Sequence, residues 1–202
     1  MPEVCSLPFP SAYWLQPSAE TASGYTVELG SSVLPFLKRG RHQSPTSLEA
    51  YDGFSISAPI LWKVGLFSDA SQLTSSGSIE DSLTASASTT LLVDLDSQIL
   101  CPHFSERDDL YDGAASEKIF YTVPATSLNY STRYVVVVQN LLGKDQKLYP
   151  ASALTAAYVD SYLFNRNQEG DERYARFIEP GGGAFAVLLA MGVDLTKIQL
   201  IW

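Results

Sequence analysis

Ser55 lies in the segment that comes nearest to the nucleophile motif of a serine hydrolase. A serine hydrolase holds its nucleophile on a strained G-x-S-x-G turn, with a histidine and an acid within reach. The segment Gly53-Phe54-Ser55-Ile56-Ser57 has the first glycine and the serine, but the second glycine is missing. We therefore interpret Ser55 as a turn serine after Asp52-Gly53, and we expect this chain alone not to be an enzyme.

Zinc chemistry would need a group of histidines and cysteines, and the sequence contains only His42, His103, Cys5 and Cys101. His42 lies in a basic loop, where we expect it to be solvated. His103 follows Cys101 closely, but this pair is too small for zinc, which takes about four ligands. We expect His103 to have a structural role at the end of a strand.

Four carboxylates within seven residues could together bind a cation; they are Glu106, Asp108, Asp109 and Asp112. Clustered carboxylate oxygens suit calcium, and Gly113 after them allows a tight turn. The spacing does not match an EF-hand loop, so the alternative is a solvated acidic loop that contributes to solubility.

Two covalent modifications remain open on the sequence. Cys5 and Cys101 could form a disulfide in an oxidising compartment or stay as thiols in a reducing one. Asn129-Tyr130-Ser131 is an N-glycosylation sequon, which only a eukaryotic secretory route would use.

The glycine run 181–183 lacks the lysine of a phosphate-binding loop, so we predict a hinge there and no cofactor.

Composition and charge limit the partners. The net charge of −9 makes nucleic acid and anionic membranes unfavourable, because phosphate binding needs clustered lysines and arginines. The 202 residues, 46% of them apolar, can bury a full core. No run reaches the roughly 18 apolar residues of a membrane span. The N-terminus has no signal-peptide pattern, so we expect either an intracellular protein or an export segment upstream of this chain.

The strand predicted over residues 133–139 organises the rest of the fold. Four consecutive valines follow Tyr134, and β-branched and aromatic residues suit a packed, pleated surface. Leu128, Thr132 and Tyr134 have the spacing of the tyrosine corner of Ig-like and fibronectin-III-like sandwiches. We therefore expect the Tyr134 hydroxyl to meet a backbone group near residues 128–130.

The other elements predict a mainly β fold followed by helices. Further strands are predicted over 25–29, 60–67, 90–95, 98–104, 118–123 and 197–202, and helices over 151–164, 171–178 and 184–191. The serine- and threonine-rich residues 68–90 predict a long surface loop that could contain one weak strand. We divide the chain into an Ig-like antiparallel β-sandwich over 1–150 and a helical connector over 151–202, which ends in a strand.

The first twenty residues combine prolines with aromatic side chains. Pro8 and Pro10 favour an extended backbone. Phe9, Tyr13 and Trp14 are too apolar for a free tail. They could pack on the domain, or they could form a platform for a lipid or cell-surface ligand.

Five segments spread over most of the chain together carry one resemblance. They are CSLPFPSAYW, LEAYDGFSISAPIL, VDLDSQILCPHFSERDD, SLNYSTRYVVVVQNLLGKDQKLYPASAL and MGVDLTKIQLIW. Together they resemble the N-terminal region of large bacterial-type extracellular lipases and esterases, of the virulence-factor lipase N-terminal type. The block at Asp52-Gly53-Phe54-Ser55 is the most discriminating, whereas the L-x-x-x-T-x-Y-V-V unit is shared by many Ig-like domains.

This resemblance implies a β-rich region that precedes an α/β-hydrolase domain, with the nucleophile well downstream of Trp202. It implies a secreted or cell-surface setting, and it transfers no catalytic residue to this chain. We therefore expect a non-catalytic accessory module that packs on and positions the catalytic domain of the same polypeptide. Such a module should leave an apolar patch uncovered around residues 184–202. The alternative is an Ig-like surface or adhesion module without a hydrolase, closed on all sides.

Overall fold

A computed structural model of the protein describes residues 7–30, 34, 44–47, 50–65, 70–110, 112–114, 118–166, 172–179 and 183–202. The strands are β1 (Leu15–Pro17), β2 (Tyr25–Val27), β3 (Ile60–Trp62), β4 (Thr90–Asp94), β5 (Ile99–Leu100), β6 (His103–Arg107), β7 (Phe120–Pro124), β8 (Tyr134–Gln139) and β9 (Ile198–Ile201). The helices are α1 (Ala153–Leu163), α2 (Glu172–Ile178) and α3 (Ala184–Ala190). All strand pairs are antiparallel, and the predicted mainly β fold is confirmed.

The larger sheet has the strand order β5-β4-β8-β9 and is built around the valine run. Strands β4 and β8 pair from Thr90 opposite Val138 to Asp94 opposite Tyr134. Every residue of β4 and all four valines of β8 are buried. Both faces of these strands are covered, which explains why their sequences are continuous apolar runs rather than alternating patterns.

The smaller sheet has the order β3-β7-β6, and the chain crosses into it from the larger sheet at Cys101-Pro102. The single strand predicted over residues 98–104 is therefore wrong, because β5 pairs with β4 whereas β6 pairs with β7. Proline has no N–H with which to continue a ladder, and Pro102 favours the break. The crossing brings His103 of β6 against Thr90 of β4.

The larger sheet packs on both of its faces. On one face, Leu92 and Val136 pack with Ile60 of the smaller sheet. On the other face, Val137 packs with Phe185 of the helical layer. The fold therefore has three layers: the smaller sheet, the larger sheet and the helices.

The boundary predicted at residue 150 does not mark a break in the core. Val159 of α1 and Phe185 of α3 belong to the same buried cluster as Val137 of β8. Strand β9 pairs with β8 and forms an edge of the larger sheet. Residues 151–202 therefore complete the β core, because without them one face of the larger sheet would be exposed to water.

Helix α1 begins after Ser152, whose Oγ accepts a hydrogen bond from the Thr155 N–H at 3.1 Å. The sequence predicts that one face of the helix carries Leu154, Ala157, Tyr158 and Tyr162, which we expect to turn inward. This is wrong for the first two, since Leu154 and Ala157 are exposed while Tyr158 is buried. Apolar residues surround this helix, so their spacing does not determine which side turns inward.

The serine- and threonine-rich connection between β3 and β4 runs over the surface with many exposed side chains, but a few buried residues attach it to the core. Its described part contains no strand and has 3-10 turns at Ala70–Gln72 and Ile79–Leu83. Thr74 and Ser88 are buried with their hydroxyls 2.8 Å apart, and Ser82 Oγ accepts from the His103 N–H at 3.1 Å. Short hydroxyl side chains can satisfy nearby polar groups, so a polar segment can be buried here.

The tyrosine-corner hydrogen bond is present at the start of β8. The Asn129 N–H donates to the Tyr134 hydroxyl at 2.8 Å, which confirms the predicted contact. Leu128 packs on the buried cluster between the two sheets, and Thr132 Oγ1 donates to the Tyr130 carbonyl at 3.0 Å. These contacts fix the turn that leads into the central strand.

The N-terminal aromatic residues are divided between core and solvent. Phe9 exchanges two backbone hydrogen bonds with Leu61 of β3, at 2.8 and 2.6 Å. Trp14 is buried beside Val27, whereas Tyr13 is exposed. The three aromatics do not form one exposed platform, and packing on the domain is the arrangement observed.

Gly183 is expected to tolerate no side chain. A Cβ at this position, just before α3, would lie 2.6 Å from the Phe177 carbonyl oxygen and 2.7 Å from the Glu179 nitrogen. Because these are backbone atoms, Gly183→Ala should lower the free energy of unfolding by about 1–3 kcal/mol in denaturant titrations. The control is Gly53→Ala, where the added methyl group meets nothing within 4 Å. Equal stability of the two variants would contradict this close approach.

Candidate functional site

Two of the four carboxylates that could bind calcium, those of Asp109 and Glu106, accept hydrogen bonds from side chains of the smaller sheet and its loop. Asp109 accepts hydrogen bonds from Arg107 Nε at 2.6 Å and from Lys118 Nζ at 3.1 Å. These hydrogen bonds hold the pKa of Asp109 below its ordinary value. Glu106 accepts instead from the Tyr121 hydroxyl at 3.3 Å.

The structure does not bring the four carboxylates together. Asp108 accepts from the Leu110 N–H at 3.1 Å within its own turn, and Asp112 is exposed. All four carboxylates belong to the described residues, among which no three metal-ligating side chains form a group. The arrangement is that of the alternative interpretation, a solvated acidic loop.

A serine and a histidine do meet in the core, through a threonine. Thr90 Oγ1 lies 3.0 Å from Ser105 Oγ and 3.1 Å from His103 Nε2. His103 is 0% exposed, and its Nδ1 lies 2.8 Å from the Cys101 carbonyl oxygen. Burial lowers the pKa of His103, so the ring is neutral at pH 7. A carbonyl in place of a carboxylate and the intervening hydroxyl distinguish this arrangement from a catalytic triad.

Ser55 lies on the surface in a local turn. Its Oγ accepts from the Ser57 N–H at 3.3 Å, and Ser57 Oγ lies 3.1 Å from Ser127 Oγ. These contacts are those of a turn serine and supply no general base.

A polar cleft of about 650 Å³ lies between the residue 70–87 segment and the end of β6. Its lining includes the hydroxyl residues Thr74 and Ser78 and the charged residues Asp81 and Arg107. These groups could hydrogen-bond a small polar molecule, although ligand pockets are usually lined mainly by apolar side chains. The serine-rich composition of residues 70–87 is the one sequence feature that could have indicated this cleft. The same composition also predicts a solvated loop, so the cleft could not be predicted from it.

The modification sites differ in accessibility. Cys101 has a free thiol and is half-buried, and burial raises the pKa of the thiol, which keeps it protonated at pH 7. Cys5 and His42 lie outside the described residues, so the structure gives Cys101 as a thiol but does not describe its predicted partner, and a disulfide in an oxidising compartment stays a prediction. Asn129 is exposed, so the sequon lies on the surface.

The apolar patch that we expected around residues 184–202 is reduced to exposed side chains such as Leu189, whereas several exposed apolar side chains lie next to one another on α1. Trp202 packs between the two sheets, and Phe185 and Ile201 are buried. The outward side of α1 is apolar except at Asp160. We call it the outer face of α1, and it consists of Ala153, Leu154, Ala156, Ala157, Leu163 and Phe164, all exposed.

Comparison with known proteins finds no family model, no curated protein and no solved structure that matches this chain. The resemblance to lipase N-terminal regions therefore stays a prediction from the sequence segments. Within the residues that the structure describes, no helix is long and apolar enough to cross a membrane.

Proposed function

We propose that this chain is a non-catalytic accessory module of a secreted or cell-surface lipase or esterase. It packs on the catalytic domain of the same polypeptide through the outer face of α1 and positions that domain. The observation that carries this proposal is the exposure of Leu154 and Phe164, at 49% and 64%. Apart from Asp160, the outer face of α1 is apolar like its inner face, so a partner domain on this face would remove unfavourable apolar surface from water.

The choice of partner rests on the segments that resemble lipase N-terminal regions, above all residues 52–55. The position of α1 supports it, because α1 packs on β9, an edge strand of the larger sheet. A polypeptide that continued beyond Trp202 would leave the fold from that strand. The face-to-face sheets and the Tyr134 hydrogen bond support an Ig-like sandwich as the architecture of the β layers.

The first test is to sequence the native gene beyond the codon for Trp202. We expect the reading frame to continue into a G-x-S-x-G motif after a predicted strand, followed by an acid and a histidine. A frame that continues without this motif would favour the Ig-like surface module. Ester hydrolysis by the isolated chain, lost when one serine is changed, would contradict the non-catalytic role.

The outer face of α1 is tested in the natural full-length polypeptide with the double variant Leu154→Glu/Phe164→Glu. We expect the segment between module and catalytic domain to be cleaved about tenfold faster in limited proteolysis, which corresponds to about 1.4 kcal/mol of lost packing. The control is Leu110→Glu, a change at a 94% exposed leucine of the smaller sheet's loop. Equal cleavage of both variants would exclude this face as the contact.

A further inference from the structure

Strand β6 presents one row of backbone groups to the outside of the smaller sheet. It pairs with β7 and forms an edge of this sheet. The Asp108 N–H donates to the Ile119 carbonyl at 2.8 Å, so by strand alternation the even-numbered residues of β6 are hydrogen-bonded to β7. The N–H and C=O groups of His103, Ser105 and Arg107 therefore point away from β7.

The connection between β3 and β4 covers the first part of this edge. The His103 N–H donates to Ser82 Oγ at 3.1 Å, and the Ser105 N–H donates to the Thr74 carbonyl at 2.8 Å. At Ser105 the connection thus takes the place of a further strand. An edge covered in this way cannot pair with another chain.

Beyond Thr74 the connection turns away from β6. The Ser78 N–H donates to the Ser75 carbonyl at 3.1 Å, and the hydroxyls of these two serines are 3.0 Å apart. The polar cleft of about 650 Å³ lies between this turn and the end of β6, where Arg107 is part of its lining. The cleft therefore begins where the covering segment leaves the strand edge.

Two backbone groups of β6 lack a partner at this place. No N–H of the described residues donates to the Ser105 carbonyl, and none of their oxygens accepts from the Arg107 N–H. Ser105 lines the cleft although it is only 3% exposed, and an unpaired buried carbonyl is unfavourable. One residue of an extended peptide can donate to the Ser105 carbonyl and accept from the Arg107 N–H, as in parallel strand pairing.

The charge of the cleft indicates which kind of peptide suits it. Of its four charged residues, Asp81, Glu106 and Asp109 are acidic and Arg107 is basic. Asp109 is paired with Arg107 and Lys118, whereas Asp81 is exposed and forms no ion pair with a described residue. A lysine or arginine of the ligand can therefore pair with Asp81, and an acidic ligand is repelled.

We propose that this cleft binds an extended peptide segment that carries a lysine or arginine and adds as a strand to β6 beside Arg107. Main-chain hydrogen bonds supply the affinity in this mode, so the cleft does not need the apolar lining of a small-molecule pocket. The opposite edge of the smaller sheet is less suited, because Phe9 exchanges two backbone hydrogen bonds with Leu61 of β3. The cleft and the outer face of α1 lie in different layers, so this proposal does not depend on the proposed function.

The first test is amide hydrogen exchange of the free protein, followed residue by residue by NMR. We expect the Arg107 amide to exchange at least about tenfold faster than that of Glu106, which the ladder pairs with Tyr121. Equal protection of the two amides would show that the edge is already closed and would overturn the proposal. Protection of Arg107 that increases with protein concentration would assign the edge to a second copy of the chain, and this too would overturn it.

The second test adds synthetic peptides with blocked ends to the nitrogen-labelled protein. The probes are Thr-Val-Lys-Val-Thr, the same peptide with glutamate in place of lysine, and the lysine peptide with all its backbone nitrogens methylated. We expect the lysine peptide to shift and protect the Arg107 amide, and the other two to bind at least about tenfold more weakly. No shift of Arg107 in the millimolar range of the lysine peptide, or equal binding of the methylated peptide, would overturn strand addition.

A pair of charge variants tests whether the cleft is the site. Asp81→Asn removes the carboxylate that has no ion pair, so the lysine peptide should bind about two- to fivefold more weakly, as for one exposed ion pair. The control Glu20→Gln makes the same change of net charge at an exposed residue outside the cleft and should leave binding unchanged. Equal weakening in both variants would mean that the peptide responds to net charge alone, and this would overturn the proposal.

Discussion

Replacement of Phe185 by alanine is expected to lower the free energy of unfolding by about 3–5 kcal/mol. Phe185 is 0% exposed and packs its ring 4.9 Å from that of Tyr162 and 5.4 Å from that of Phe177. It also belongs to the cluster that covers the larger sheet. Its removal would leave a cavity between the helices and the sheet, where the neighbouring side chains can relax only in part.

The control for this change is Leu189→Ala on the same helix. Leu189 is 45% exposed, so its truncation should cost much less than that of Phe185. Unfolding should be followed by tryptophan fluorescence, which reports on the sheets through Trp62 and Trp202, and by far-UV circular dichroism. If residues 151–202 belong to the β core, both signals should change in one coincident transition. Loss of the helices before the fluorescence change would restore the boundary at residue 150.

The central strands could be predicted because their sequence signal is local. The valines of β8 and Leu91 to Val93 of β4 are apolar runs of β-forming residues, and both became buried central strands. The Tyr134 corner was also predictable, since its partner Asn129 lies five residues away. The packing of β9 on β8 joins distant parts of the chain, and the sequence predicted only that a strand is present.

The errors have a common cause in non-local packing. At Cys101-Pro102 the chain changes sheets, and only pairing with β7 separates β6 from β5. On α1 the choice of inward face depends on the sheet that lies beneath it, because Leu154 and Tyr158 suit a core equally well. In both places the local pattern permits two structures, and long-range contacts select one.

For polar residues too, the local sequence does not determine which residues come into contact. The sequence groups Glu106 and Asp109 with their acidic neighbours, but the structure gives each a different partner. Conversely, Thr90, Ser105 and Thr122 come from three separate strands and meet in the core. Alternation within each strand places one hydroxyl on a given face, but the register between strands decides whether the hydroxyls touch.

Trp62 and Trp202 are expected to differ sharply when each is replaced by phenylalanine. Trp62 is fully buried, stacks on Phe120 with ring centroids 4.7 Å apart, and donates its indole proton to Thr122. Trp62→Phe removes this hydrogen bond and leaves a cavity, so the free energy of unfolding should fall by about 2–4 kcal/mol.

Trp202→Phe also removes volume from the contact between the sheets, but it removes an unfavourable group at the same time. The Trp202 indole nitrogen is buried and has no hydrogen-bond partner among the described residues. An unpaired buried donor costs about 1–3 kcal/mol, and relief from this cost offsets the lost packing. We therefore expect a net change within about 1 kcal/mol in urea unfolding at pH 7.5. If Trp202→Phe lowers the free energy of unfolding as much as Trp62→Phe does, the Trp202 indole N–H has a hydrogen-bond partner in solution. The expected relief from an unpaired buried donor would then be wrong.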